Sequence, residues 1–208
     1  MQAGQRLVAA DCYEVALFPM PYLRMSQDED GDYSHQGTYN IDLVGWRASG
    51  RVYHAPVYAP CSCRVVARSS SGDWCVFDSL YKVHRADGVL SYVSFQIGHD
   101  DNPPQVGATF TQGQLIGHTG TNGHVTGDHL HFNVAGQHYT SPWSSHLNGS
   151  IQIYNGCYVD DTTLYRDGDY DWEEYGDTPT PPGPGPGQPR DKKFPWYIIT
   201  SKKLHRNY

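Results

Sequence analysis

No stretch of this chain keeps apolar residues at i, i+3, i+4 and i+7, whereas several short runs alternate in part. Ser91-Tyr92-Val93-Ser94-Phe95-Gln96-Ile97, Gly50-Arg51-Val52-Tyr53-His54-Ala55-Pro56-Val57-Tyr58 and Leu130-His131-Phe132-Asn133-Val134 bring apolar side chains to every second position or close to it. A strand sends residues i and i+2 to one face, so this period predicts strands with one buried side. The expected fold class is mainly β: a compact antiparallel sheet with short turns. With 208 residues, 13% aromatic content and 22 glycines, the chain can hold one such domain with a substantial core, plus an appendage.

One alternating run carries chemistry. In Gly127-Asp128-His129-Leu130-His131-Phe132 the two histidines sit at i and i+2, so a strand would aim both at one site. Paired histidines also occur on solvated strands, and His-x-His alone is a weak motif in a chain with 11 histidines. Its approach strengthens it. The run Gly113-Gln114-Leu115-Ile116-Gly117-His118-Thr119-Gly120-Thr121-Asn122-Gly123 implies tight turns between short strands, with backbone passing close to something.

A zinc hydrolase needs three protein ligands and an open position, commonly two histidines and a carboxylate. Upstream, Ser34 to Leu43 offers His35 and, seven positions on, Asp42 between Ile41 and Leu43. A carboxylate between two apolar neighbours on a strand is costly unless it is paired or bound to a cation. Metal ligation would satisfy it.

These motifs resemble the lysostaphin-like, or LytM-type, zinc metalloendopeptidases that cut peptidoglycan cross-links. The resemblance rests on a His followed by an Asp, and on a distal Gly-Gln-x-Ile-Gly…Thr-Gly-x-His-Leu-His-Phe signature that Gly113 to Phe132 fits nearly residue for residue. Ala55-Pro56-Val57-Tyr58-Ala59-Pro60, followed by Arg64-Val65-Val66, resembles the family's strand pair after the Asp. Six residues separate His35 from Asp42 where most members have three, a spacing similar to that of phage tail-associated members. The likeness runs from Ser34 to Val134.

What the resemblance implies is specific. His35, Asp42 and His131 would ligate Zn2+, and His129 would face the site without binding the metal. A second non-ligand histidine is expected about thirty residues upstream, where Ser94-Phe95-Gln96-Ile97-Gly98-His99 supplies His99. His84 competes for that role, but it precedes the Asp87-Gly88 turn and reads as an ordinary strand end. Zinc so bound would lower the pKa of water from ~15.7 toward ~7 and polarise an amide carbonyl. His129 and His99 would share proton transfer and oxyanion stabilisation, with the base left open between them. His118 and His124 read as solvated turn residues, and Tyr33 as a weak candidate oxyanion donor.

The chain divides into an extension at 1–30 that packs on the domain, a peptidase domain at 31–165, an acidic and then Pro/Gly-rich linker at 166–191, and a basic-apolar anchoring tail at 192–208. The linker contains Thr178 to Pro189, whose prolines favour an extended spacer. Asp167, Asp169 and Asp171 lack the glycine and terminal glutamate of a calcium loop. Phe194 to Thr200 is apolar between lysines, and is expected to add a strand to a partner's sheet edge or to order on assembly.

Neither a secretory signal nor a membrane span is expected from Met1 to Met25, where two prolines interrupt the apolar piece. A net charge of −7 argues against nucleic acid as a partner. Five cysteines, an odd number, point to small buried residues or reduced thiols, with one disulfide from Cys61 or Cys63 to Cys75 as the minor alternative. The functional expectation is a zinc endopeptidase acting on peptidoglycan peptide cross-links, as a phage tail-associated lysin that opens the wall for DNA entry. It would be carried on the virion, through a tail protein that takes the C-terminal tail, or be released at the wall. The alternatives are a host-lysis endolysin, a structural tail component with an inactive peptidase fold, and a zinc-dependent carbohydrate- or amide-binding module.

Overall fold

The computed structural model describes residues 1–141 and 146–165, with backbone alone at 170–174 and 202–206. The strands in order are β1 (Tyr22–Gln27), β2 (Ile41–Arg47), β3 (Gly50–Val52), β4 (Pro56–Tyr58), β5 (Cys63–Arg68), β6 (Trp74–Ser79), β7 (Val83–His84) and β8 (Leu90–Ser91). After them come β9 (Ser94–Gly98), β10 (Thr109–Phe110), β11 (Leu115–His118), β12 (Leu130–Ala135) and β13 (Ser150–Ile151). A single helical turn, α1 (Ile153–Gly156), precedes β14 (Thr163–Leu164), β15 (Tyr170–Glu174) and β16 (Lys202–Arg206).

Ten of these strands form one sheet in the order β10-β5-β6-β9-β12-β2-β1-β14, with β13 beside β12 and β3 beside β2. All its pairings are antiparallel except β1 with β14, so the fold is mainly β with a dominant antiparallel sheet. The long alternating runs are cut by turns: residues 50–58 divide into β3 and β4 around His54, whose φ is 49°, and residues 91–97 divide between β8 and β9.

Alternation decides which face is apolar, although the central strands β9 and β12 are buried on both faces and not on one as their period predicts. Phe77 (β6), Phe95 and Ile97 (β9), Leu130, Phe132 and Val134 (β12), and Ile41 and Leu43 (β2) all point into one core. There Phe77 stacks on Phe95 with centroids 4.9 Å apart, and Phe18 closes on Phe132 at 6.1 Å. The amino end supplies Phe18 and Met20 to that core, while Met1, Val15 and Leu17 join Tyr158 in a second cluster. Backbone bonds hold it there, from Ala16 N to His84 O (2.9 Å) and from Phe18 N to Tyr158 O (2.7 Å).

All five cysteines are free, so the Cys61 or Cys63 to Cys75 disulfide does not form; Cys12 is exposed and the other four are buried. Burial pushes the Cys75 and Cys157 thiols up to about 12, which keeps them protonated and inert at neutral pH.

Most of the linker at 166–191 and the apolar segment at 194–200 lie outside the described residues. Lys202–Arg206, on the basic flank of that apolar segment, pairs within the chain against the acidic Tyr170–Glu174. No helix among the described residues is long and apolar enough to cross a membrane.

Candidate active site

The sheet face turned away from the core carries the site. Across four neighbouring strands the register aligns Asp42 (β2), His131 (β12), Gly98 (β9) and Trp74 (β6) in one row. Residues directly opposite one another on paired strands share a face, so the row is fixed once the core residues between its members are buried. His35 reaches the row from the turn between β1 and β2, where its N–H donates to Gly31 O and its carbonyl accepts from Thr38 N.

Three side chains converge. Asp42 Oδ1 lies 3.0 Å from His131 Nδ1 and 3.4 Å from His35 Nε2, and His35 and His131 are almost wholly buried. One ligand atom from each of His35, Asp42 and His131 falls within 4.8 Å of the others, the one such group among the described residues. Burial raises the Asp42 carboxyl, but His131 and His35, when they carry a proton toward it, outweigh that and hold the group well below the usual carboxylate range. The His131 imidazole is moved down by burial, against the pull of Asp42.

A backbone carbonyl sets the tautomer of three histidines, because a carbonyl can only accept. His35 Nδ1 donates to Asp28 O (3.1 Å), His129 Nδ1 to Gly127 O (2.8 Å) and His99 Nδ1 to Asn122 O (2.9 Å). Each Nε2 of a neutral ring is then a lone pair. For His35 it points at Asp42, and both His35 Nε2 and Asp42 Oδ1 are buried without a hydrogen-bond partner. Facing lone pairs in a dry site fit a bound cation, and a ligating histidine usually donates its other ring N–H to a carbonyl in this way.

His129 and His99 flank this group. His129 Nε2 lies 3.7 Å from Asp42 Oδ1, and the His99 and His129 rings are 4.6 Å apart. His99 follows the last residue of β9, and continued extension would turn it toward the core. Its φ of 73° takes it out of the strand and keeps its ring beside the row, 5.0 Å from Trp74. Burial lowers the His99 imidazolium to about 4; the Asn122 carbonyl opposes the shift and His129 and His131 add to it.

Residues 47–142 match the sequence profile of peptidase family M23. The chain carries a domain of peptidase family M23. His35 and Asp42 fall just before the matched stretch of this M23 domain, and the fold brings them to His131 within it. Morphogenesis protein 1 of Bacillus phage B103 is 35% identical over 166 residues, which is 77% of this chain and 44% of that protein, so the chain spans less than half of the relative. Among solved structures, the catalytic domain of the antimicrobial peptidase lysostaphin from Staphylococcus simulans is similar at 20% identity and a TM-score of 0.40, covering 60% of this chain and 82% of that one. A zinc containing peptidase from Vibrio cholerae is similar at 18% identity and a TM-score of 0.38, covering 62% and 42%.

The remaining histidines of the M23 chain separate cleanly. His84 ends β7 with Nε2 2.8 Å from the Asp11 carboxylate, as expected of a strand end. His118 is not a turn residue: it closes β11 opposite Pro56, and its N–H donates to Asp100 Oδ2. His124 is exposed in the loop before the motif, and Tyr33 is 78% exposed.

Sequence reading missed three members of the site. Trp74 stands edge-on to His131 at 4.6 Å, walling the cluster. Gly98 makes room for it, since a Cβ there would meet Trp74 Cζ3 at 2.6 Å. Asp128 is the third: it accepts from Thr119 Oγ1 (2.7 Å) and His54 N (3.1 Å), tying down the turn that leads into His129. In sequence only Gly98, placed between Ile97 and His99, carried any signal of a close approach.

Proposed function

We propose that this chain is a zinc-dependent endopeptidase that hydrolyses peptide cross-links of bacterial peptidoglycan. The observation that carries the reading is the buried convergence of His35 Nε2, Asp42 Oδ1 and His131 Nδ1, with two further histidines beside it, in a chain carrying an M23 domain. His35, Asp42 and His131 would hold the metal. When bound, zinc supplies Lewis acidity, acidifying water at its open position and polarising an amide carbonyl.

The protein's own groups do the rest. With Nδ1–H committed to carbonyls, His129 and His99 each offer a bare Nε2 able to accept a proton from the attacking water. Once protonated, the same nitrogen donates to the oxyanion or to the departing amine. No side-chain nucleophile is required, consistent with the burial of four of the five thiols. Trp74 and the buried ligands keep bulk water from one side of the cluster.

The phage morphogenesis relative supports a role as a tail-associated lysin that opens the wall for DNA entry. We assign residues 31–165 to the peptidase domain, 1–30 to an extension packed on it, 166–191 to a linker and 192–208 to an anchoring tail for a phage tail protein. The deciding experiment is muropeptide release from purified sacculi with and without a chelator, with mass spectrometry of the products. New amino termini at cross-links, abolished by chelator and restored by zinc, are expected; release that ignores the chelator would overturn the reading. Deleting residues 178–208 should leave peptidase activity intact and abolish particle incorporation.

A further inference from the structure

We infer that Asn122 is a positioning residue that fixes the direction and tautomer of His99, through a clamp formed by Gly120, Thr121 and Asn122. This rests on the reading of His99 as a catalytic residue.

The clamp touches both non-ligand histidines. Gly120 forms a two-way backbone bridge with His129, with N···O distances of 3.1 Å in each direction. Two residues on, Asn122 N donates to His99 O (3.1 Å), and Asn122 O accepts from His99 Nδ1 (2.9 Å). A three-residue segment therefore joins the backbone of His129 to both the backbone and the ring of His99. Its close fit is enforced at Gly120, where a Cβ would lie 2.2 Å from His99 O.

The Asn122 side chain pins the segment down. Its Nδ2 donates to Gly72 O (3.0 Å) and to Asp100 O (3.3 Å), one carbonyl in the turn before β6 and one just after His99. Both partners are acceptors, so only the amide nitrogen can occupy that position. Thr121 N adds a bond to Asp101 Oδ1 (3.1 Å). His99 needs such a frame because its φ of 73° is a conformation that non-glycine residues adopt only when their surroundings hold them there. Its N–H is held from the other side by Asp73 O (2.7 Å). Without the Nδ1–H to Asn122 O bond, the imidazole is free to take the other tautomer, which removes the lone pair from Nε2.

The test uses the zinc-loaded full chain. Asn122→Ala removes the amide, and Asn122→Asp keeps the shape but replaces the donor with a carboxylate facing two carbonyls. Both should lower kcat by roughly 10²-fold, the cost typical of a misplaced catalytic group, with KM within about two-fold and zinc content unchanged. In ¹⁵N-edited NMR the His99 Nδ1–H resonance should broaden or vanish. Wild-type kcat, or a persisting Nδ1–H signal, in both folded variants would overturn the inference. His99→Ala run alongside separates the two claims: if it keeps wild-type kcat, the catalytic reading of His99 fails, whereas an inactive His99→Ala beside fully active Asn122 variants sinks only the positioning role.

Discussion

His131 and Asp42 are direct cross-strand partners on β12 and β2, and the His131 Nδ1 to Asp42 Oδ1 distance of 3.0 Å follows from that register. A carboxylate aligned with an imidazole on one sheet face forms a pair that His35, the proposed third ligand, joins from a turn. Replacing either strand residue, as His131→Ala or Asp42→Asn, should abolish stoichiometric zinc binding and activity together. Metal analysis after dialysis checks this, and a His131→Ala protein that still digests sacculi would refute the ligand assignment.

His129 should behave differently from its neighbour two residues away. Its Nδ1 is committed to Gly127 O and its Nε2 sits 3.7 Å from Asp42, farther than either proposed ligand nitrogen. His129→Ala is expected to retain zinc while kcat falls by about 10²- to 10⁴-fold, the usual range for losing a general acid or base.

Gly98 and Trp74 should be coupled. Gly98→Ala puts a methyl 2.6 Å from the indole, which must leave its place against His131 and His99. Overpacking of this kind destabilises by about 1–3 kcal/mol. The Gly98→Ala/Trp74→Ala double variant should lose less stability than the two single changes sum to; strict additivity in urea denaturation would show that the contact is not what matters.

The metal-free protein should lose stability in acid. His99 titrates near 4 when folded against 6.5 in the unfolded chain, so between those values only the unfolded chain takes up the proton. Stability therefore falls as pH drops through that window, by at most about 1.4 kcal/mol per pH unit for this one group. His131, also moved down, acts in the same direction, and the depressed Asp42 carboxyl withdraws its contribution below about pH 3.8. Melting temperatures in chelator should show this slope, and His99→Gln should flatten it; a wild-type curve level from pH 6.5 to 4 would contradict it.

On the opposite side of β12, Phe132 is wholly buried against Phe18 and Phe95. Phe132→Ala should cost about 3–5 kcal/mol. Because this residue lies between the strand positions that face the site, metal affinity should drop with stability, which calorimetry of zinc binding below the melting range would detect.

Much of this was legible in the sequence. The alternation Leu130-His131-Phe132 states both the burial of one face and the chemistry of the other, and Asp42 between Ile41 and Leu43 repeats the pattern. His99 was reachable only through family spacing, because nothing local announces a left-handed backbone at a histidine. His118 was misread as a turn because its flanking glycines suggested one, yet Gly117 and His118 pair with Val57 and Pro56 as strand.

Composition and local order determined the sheet, the apolar faces of its strands and which residues were candidate ligands once the motif resemblance was read, since period and side-chain chemistry are properties of neighbours in the chain. Only tertiary structure decided the row Asp42, His131, Gly98, Trp74 and the clamp from Gly120 to Asn122. Those depend on register between strands up to some ninety positions apart in sequence. Register is set by burying the whole core at once, a sum over all pairs that no single segment contains.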